Sequence, residues 1–198
     1  MSDSPHAEAV SKLTIPLADC LLTPWIVPEK SWTVYGIERS KIESYKALDP
    51  FVWLSRKDLS EKFHLGLNID KSKTTISLRL EESFAAYIKN DVYTHEFALI
   101  QRLIEEFRNQ NIVILCRYSE QVDAVLKKFK GRVIVPNDIV DGVALLQQSD
   151  LFIGLGGTMT AEAALMGTPA ISFFSGSYFV ERYLVSKGLL TKQRDIDG

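Results

Sequence analysis

From residue 75 onward the chain repeats one pattern, a short aliphatic run, a turn and an amphipathic helix. Thr75–Leu80, Ile112–Cys116, Arg132–Val135, Leu151–Gly154 and Ala170–Phe174 read as strands, because each is short, apolar and bounded by turn residues. Helical spacing fills the gaps. Thr94–Arg108 presents Phe97, Leu99, Ile100, Leu103, Ile104 and Phe107, and Glu120–Phe129, Ile139–Gln147, Met159–Met166 and Val180–Lys187 follow. Strands that alternate with helices run parallel, because right-handed crossovers return each strand to the same end of the sheet. The expected fold class is therefore α/β, a Rossmann-like parallel sheet with helices on both faces. Such sheets bind ligands beyond the carboxyl ends of their strands.

The turn after Leu151–Gly154 carries the strongest chemical signal, within SDLFIGLGGTMTAEAALMGTP from Ser149 to Pro169. Gly156 and Gly157 let the backbone reverse, Thr158 or Thr160 can cap the next helix, Gly167 stops it and Pro169 prevents its return. A strand, two glycines, hydroxyls and a helix N-terminus make an anion receptor, because N–H groups and the positive end of the helix dipole converge. That points to a phosphorylated ligand, against the alternative of an ordinary glycine-rich strand-to-helix turn. The dinucleotide fingerprint is not met, since Met159 stands where its third glycine falls, and no Walker sequence occurs. Glu162 lies one helical turn after Thr158 on the same face. It serves either as favourable charge near the helix start or as an acceptor for ribose hydroxyls.

Arg79 ends the first strand of the series and Arg117 follows the second, so a parallel sheet brings both to the rim that holds the glycine turn. Two guanidiniums facing a diphosphate supply charge and forked hydrogen bonds. The alternative is ion pairing with Glu81, Glu82 or Glu120. His6, His64 and His95 are scattered without a partner at metal-ligand spacing, so no metal site and no cofactor are expected. Asp19, Asp138 and Asp141 read as strand-edge or helix-start residues, and no catalytic base stands out.

The segments SDLFIGLGGTMTAEAALMGTPAISFFSG and YLVSKGLL, with SDSPHAEAVSKLTIPLAD, CRYSEQ and VDGVALLQQSD, resemble, over most of the chain, the C-terminal half of a family of uncharacterised glycosyltransferase-like proteins of archaea and some bacteria. That family is similar to the non-hydrolysing UDP-N-acetylglucosamine 2-epimerases and to other two-Rossmann-domain transferases of the GT-B type. The resemblance implies the C-terminal domain of a GT-B fold and a nucleotide-sugar partner, with UDP-sugar the expected donor. It implies Gly156, Gly157, Thr158 and Thr160 around the diphosphate, Glu162 on the ribose, and the backbone at Pro136 and Asn137 against the nucleobase. It also implies that the segment containing His6 faces an interdomain cleft. Ala161 replaces a further acidic residue of the epimerase turn, which weighs against simple epimerase activity. A sugar-nucleotide-binding or assembly module without turnover is the third reading.

The same resemblance makes residues 1–30 the remnant of a first Rossmann-like domain, missing here, with a linker. It makes 31–198 the nucleotide-sugar-binding domain, truncated at its C-terminus. Pro5 opens a helix to about Leu13, and Ala18–Leu22 reads as a strand ended by Pro24, without earlier partners. Either it belongs to an absent domain or it docks as an edge strand. Unpaired edges favour association, so a homo-oligomer is a candidate partner. Trp25–Pro50 then forms a connector and first helix, with Trp32, Tyr35, Tyr45, Phe51 and Trp53 as packing surface. A net charge of −2 gives no reason for nucleic acid. Cys20 and Cys116 lie in apolar runs and read as buried free thiols. With no signal peptide and no run near the ~20 apolar residues of a membrane span, a cytoplasmic setting is expected.

Overall fold

The structure, a computed structural model, describes residues 1–57, 65–80, 94–176 and 178–194. Two compact units are present: Met1–Lys57 with Gly176–Gly188, and Asp58–Ser175 with Leu189–Gly198. His64, Glu81 and Glu82 fall outside the described residues.

In the first unit, helix α1 (Glu8–Thr14) runs into a 3-10 turn at Ile15–Leu17, where the Ala18 N–H donates to the Ile15 carbonyl at 3.2 Å. The chain therefore extends only at β1 (Leu21–Pro24), later than the expected Ala18–Leu22, and Cys20 is exposed rather than buried. Strand β1 is not unpartnered. It pairs in parallel with β2 (Ile42–Tyr45), from Leu21 opposite Ile42 to Pro24 opposite Tyr45, inside the stretch expected to be connector and helix. Pro24 is tolerated because the ladder to β2 takes its donor from the next residue, the Trp25 N–H, which donates to the Tyr45 carbonyl at 3.0 Å. Helices α2 (Lys30–Thr33) and α3 (Asp49–Leu54) flank β2 in sequence.

Trp32 is fully buried and packs with Ile15, Leu21, Val27, Ile37 and Ile42, while its indole Nε1–H donates to Thr23 Oγ1 at 3.1 Å. Phe51 and Trp53 remain exposed. Helix Phe179–Ser186, which the alternation places in the Rossmann series, belongs to this unit. Its aromatic side chains explain why: Phe179 packs on the Trp32 cluster, Tyr178 stacks on His6 at 3.8 Å, and Tyr183 meets Trp25 edge-on at 5.4 Å.

The second unit is a parallel sheet of β3 (Thr75–Arg79), β4 (Asn111–Leu115), β5 (Leu151–Gly154), β6 (Ala170–Ser172) and β7 (Thr191–Lys192), in the order β4-β3-β5-β6-β7. Helices α4 (Thr94–Glu106), α5 (Ser119–Phe129), α6 (Gly142–Gln147) and α7 (Thr158–Met166) join the strands. The third expected strand, Arg132–Val135, shrinks to one bridge between Ile134 and Val113. Ile134 exchanges hydrogen bonds with Ile112 and Ile114 at 2.8 and 2.9 Å. The next ladder bond would need an N–H at residue 136, and Pro136 has none. Counting this bridge, the order outward from β3 and back is the doubly wound one, and the order of strand addition reverses between β3 and β5.

Register divides the two faces. Ile76, Leu78, Ile112, Ile114 and Ile153 form one core with Leu99, Ile100 and Leu103 of α4 and Val125 and Phe129 of α5. Ser77, Arg79, Phe152 and Gly154 point to the opposite face. There Ser77 Oγ meets Ser149 Oγ at 2.7 Å, just past α6, and Thr160 of α7 approaches Gly154. This is the α/β, Rossmann-like architecture with flanking helices that the alternation of strands and helices predicts.

Candidate functional site

Beyond the carboxyl ends of β3, β4 and β5 lies a cleft of about 750 Å³ in the second unit. Arg79, Arg117, Pro136, Gly157, Thr158 and Glu162 all line it, so six of the eight residues singled out in the sequence come together. The reversal of strand order between β3 and β5 separates the loops that follow them and opens the cleft.

The glycine turn takes its shape from backbone conformations closed to most residues. Gly156 has φ +114° and a Cβ there would sit 2.8 Å from the Phe174 ring, while Gly157 has φ +86°. Because the turn is completed at Gly157, that residue is the N-cap, and no side chain caps α7. Thr158 is the first helical residue rather than the cap, and it is exposed in the cleft. The first-turn N–H groups of α7 thus meet no capping side chain, and the positive end of its dipole faces the opening. Thr160 and Gly156 are not among the lining residues. Thr160 is buried, and its hydroxyl donates to the Gly156 carbonyl at 3.4 Å, bracing the turn from behind.

Arg79 is half-buried. Its Nη1 lies 3.8 Å from Met159 Sδ, and among the described residues no carboxylate oxygen comes within 4 Å of it. Burial holds its pKa below the ordinary arginine value, the Arg117 charge lowers it further and Glu162 partly offsets both. Arg117 is exposed, and its backbone N–H donates to Gln121 Oε1 at 2.8 Å, fixing the start of α5 at the cleft edge. Two cations and the Glu162 carboxylate therefore share one opening.

The start of α6 reaches the same cleft through Gly142, but its N-cap is satisfied: Asp141 Oδ1 accepts from the Val143 and Ala144 N–H groups at 2.9 and 3.1 Å. Tyr118, Ser119, Asp138, Ile139 and Met159 also line the cleft and were not singled out as site residues in the sequence. Ile139 is fully exposed at the rim. Cys116 forms part of the wall, half-buried rather than fully buried, with its thiol pushed up to about 12 by burial. Of the histidines, His6 lies exposed in the first unit and His95 exposed on α4. Among the described residues no group of three or more His, Cys, Asp or Glu could hold a metal ion, and no helix is long and apolar enough to cross a membrane.

An uncharacterised protein of Methanocaldococcus jannaschii is 27% identical over 213 residues, covering 98% of this chain and 56% of that protein. The fold is similar to UDP-GlcNAc 2-epimerase from Neisseria meningitidis bound to UDP-GlcNAc, with a TM-score of 0.67 at 16% identity over 93% of this chain and 52% of that one. The Methanocaldococcus jannaschii UDP-GlcNAc 2-epimerase in complex with UDP-GlcNAc and UDP gives 0.62 at 12% identity, over 89% and 51%. The wall teichoic acid polymerase TagF gives 0.53 at 16% identity, over 86% and 42%. The chain thus spans about half the length of the proteins it matches. These likenesses establish a Rossmann-like domain equivalent to the C-terminal domain of a GT-B fold. The family model described as "Protein of unknown function (DUF354)" matches residues 1–198, and the chain belongs to that family.

Proposed function

We propose that this chain is the nucleotide-sugar-binding part of a glycosyltransferase-like enzyme, and that its cleft takes the diphosphate and ribose of a UDP-sugar. One observation carries the reading. At the point where strand order reverses, one cleft collects Arg79, Arg117, the uncapped start of α7 and, one turn further, Glu162. A diphosphate is a ligand group that would meet two guanidiniums and a helix N-terminus at once. The carboxylate beside it is suited to accept from vicinal hydroxyls, as a ribose presents. Pro136 and Asn137 would lie against the base through shape and main chain. Gly156 and Thr160 would act from behind, by fixing the turn.

In a transfer reaction, the dipole of α7 and the arginine charge would stabilise the leaving nucleoside diphosphate as its negative charge develops. The acceptor and the base would come from parts of the longer protein outside this cleft. A second reading, a UDP-sugar 2-epimerase, is supported by the likeness to two epimerase structures, while Ala161 in the turn speaks against it.

Calorimetry with UDP, UMP, uridine and UDP-N-acetylglucosamine tests the site. UDP should bind more tightly than UMP or uridine, and absence of heat at millimolar UDP would overturn the proposal. With the longer protein, sugar release identifies a transferase and formation of the C2 epimer an epimerase. Nucleotide binding without either product leaves the sugar-nucleotide-binding module.

A further inference from the structure

Met159 is an unusual floor for an anion-binding cleft. It is the second residue of α7, only 4% exposed, and its thioether sulfur lies 3.8 Å from Arg79 Nη1. Its methyl group reaches toward α6, where a Cβ built on Gly142 would stand 3.6 Å from Met159 Cε. One side chain therefore spans from the end of β3 to the first residue of α6, beneath the cleft that Arg79, Gly142 and Met159 all line.

The chemistry of that contact matters more than its reach. A half-buried guanidinium without a rigid neighbour samples several rotamers, and a carboxylate at the same place would hold it only by neutralising it. A thioether does neither. It is polarizable, fills irregular space and accepts only a weak hydrogen bond, so it restricts the guanidinium and leaves the positive charge uncompensated. Gly154, the register partner of Arg79, has no side chain on the shared face, and Thr160 packs in that place, which seats the helix carrying Met159 against the sheet.

We infer that Met159 is a positioning residue for Arg79, holding the guanidinium toward the cleft with its charge available to a ligand phosphate. The inference rests on the nucleotide-sugar reading only for the identity of the anion. The orientation of Arg79 in the free protein belongs to the chain itself.

Two measurements separate these levels. In the free protein, the Arg79 Nε–H resonance should be a single sharp signal with slowed exchange, and Met159→Ala or Gly142→Leu should broaden it or average it toward exposed-arginine values. An unchanged Arg79 signal in both folded variants overturns the inference whatever the ligand. In binding, Met159→Ala should weaken UDP about tenfold, the scale of a partly lost hydrogen bond to a charged group, and leave uridine unchanged. Met159→Glu should weaken UDP at least as much by capturing the guanidinium, while Met159→Leu keeps most of the affinity. In an Arg79→Ala background, Met159→Ala should have no further effect on UDP. Equal losses for UDP and uridine, or an undiminished Met159 effect without Arg79, would show that Met159 acts only on structure. If UDP does not bind wild-type protein, the nucleotide reading fails and the Arg79 resonance still decides the role of Met159. If Met159→Ala does not fold, Gly142→Leu, which displaces the same side chain, takes its place in both measurements.

Discussion

Arg79 and Gly154 are register partners on adjacent parallel strands, so they project on the same face at the level where β3 and β5 end. Only one of them has a side chain. The space above Gly154 is taken instead by Thr160, whose Oγ1 would lie 2.1 Å from a Cβ at position 154. This exchange seats α7 close against the sheet and puts its N-terminus beside Arg79, with Met159 between them. The cleft wall is thus assembled by a missing side chain as much as by charged ones.

Gly154→Ala should therefore destabilise the fold by about 1–3 kcal/mol, the usual cost of overpacking a filled interior. Thr160→Ala removes the nearest atom and should restore part of the loss, although Phe152 and Thr160 Cβ remain 3.2 Å from the new methyl. Urea denaturation of the two single variants and the double variant measures the coupling. Additive losses would mean that α7 does not rest on Gly154 through Thr160.

Phosphate and ribose recognition should separate under mutation. Thr158→Val removes an exposed hydroxyl at the start of α7 and should weaken UDP more than uridine, because in the proposed site that hydroxyl would face the diphosphate. Glu162→Gln should weaken both ligands, since both contain the ribose. If Glu162 serves only the helix dipole, its loss should cost a few tenths to about 1 kcal/mol of stability with affinities unchanged. Calorimetry and denaturation on the same samples distinguish the outcomes.

The alternation of strands and helices was legible because aliphatic runs and helical spacing both report burial, and burial on two faces defines this sheet. What escaped was short or irregular. Thr191–Lys192 pairs beside β6, but two polar residues have no period to read. Ile42–Tyr45 contains Glu43 and Ser44, which hid its pairing with β1. Arg132–Val135 looked like a full strand because apolar composition does not count backbone donors, and Pro136 removes the one that would extend the ladder. Of the residues that line the cleft, Arg79, Arg117, Gly157 and Thr158 were legible from their place at or after strand ends, Glu162 from its helical spacing to Thr158, and Pro136 through the family resemblance. Met159 entered the sequence argument as the start of a helix and as the residue replacing a glycine, and its contact with Arg79 depends on a register that composition cannot supply. Thr160 offered a hydroxyl to the same argument, but the helix turns that hydroxyl inward.

In the first unit, the Trp32–Thr23 hydrogen bond should be a large single contribution. Both residues are fully buried, so Thr23→Val keeps the volume but leaves the indole N–H without its acceptor. The expected cost is about 1–3 kcal/mol, the penalty of an unsatisfied buried donor. Trp32→Phe in the Thr23→Val background removes that donor. The double variant should therefore lose less than the sum of the single changes in urea denaturation. Strict additivity would show that the contact is not energetically coupled.

The two thiols should differ in reactivity and leave a signature at alkaline pH. Cys20 is exposed, whereas Cys116 is half-buried in the cleft wall with its thiol raised from 9.0 to about 12. The thiolate is the nucleophile, so Cys20 should react quickly with a disulfide reagent near neutral pH and Cys116 only slowly in folded protein. Burial causes the shift by disfavouring the charged form, with a smaller contribution from Glu96 in the same direction. The folded state consequently holds the Cys116 proton at pH values where the unfolded chain has released it. Stability from this group is fully present below the unfolded value near 9 and declines as pH rises toward 12. Urea unfolding from about pH 8 to about pH 10.5 should show falling stability, and Cys116→Val should reduce that slope. Tyr45, whose hydroxyl bonds to Asp49 and whose pKa burial also raises, contributes with the same sign, so Tyr45→Phe measures the remainder. Equal labelling rates for the two cysteines in folded protein would place Cys116 in an open, solvated wall and remove the basis for its alkaline effect.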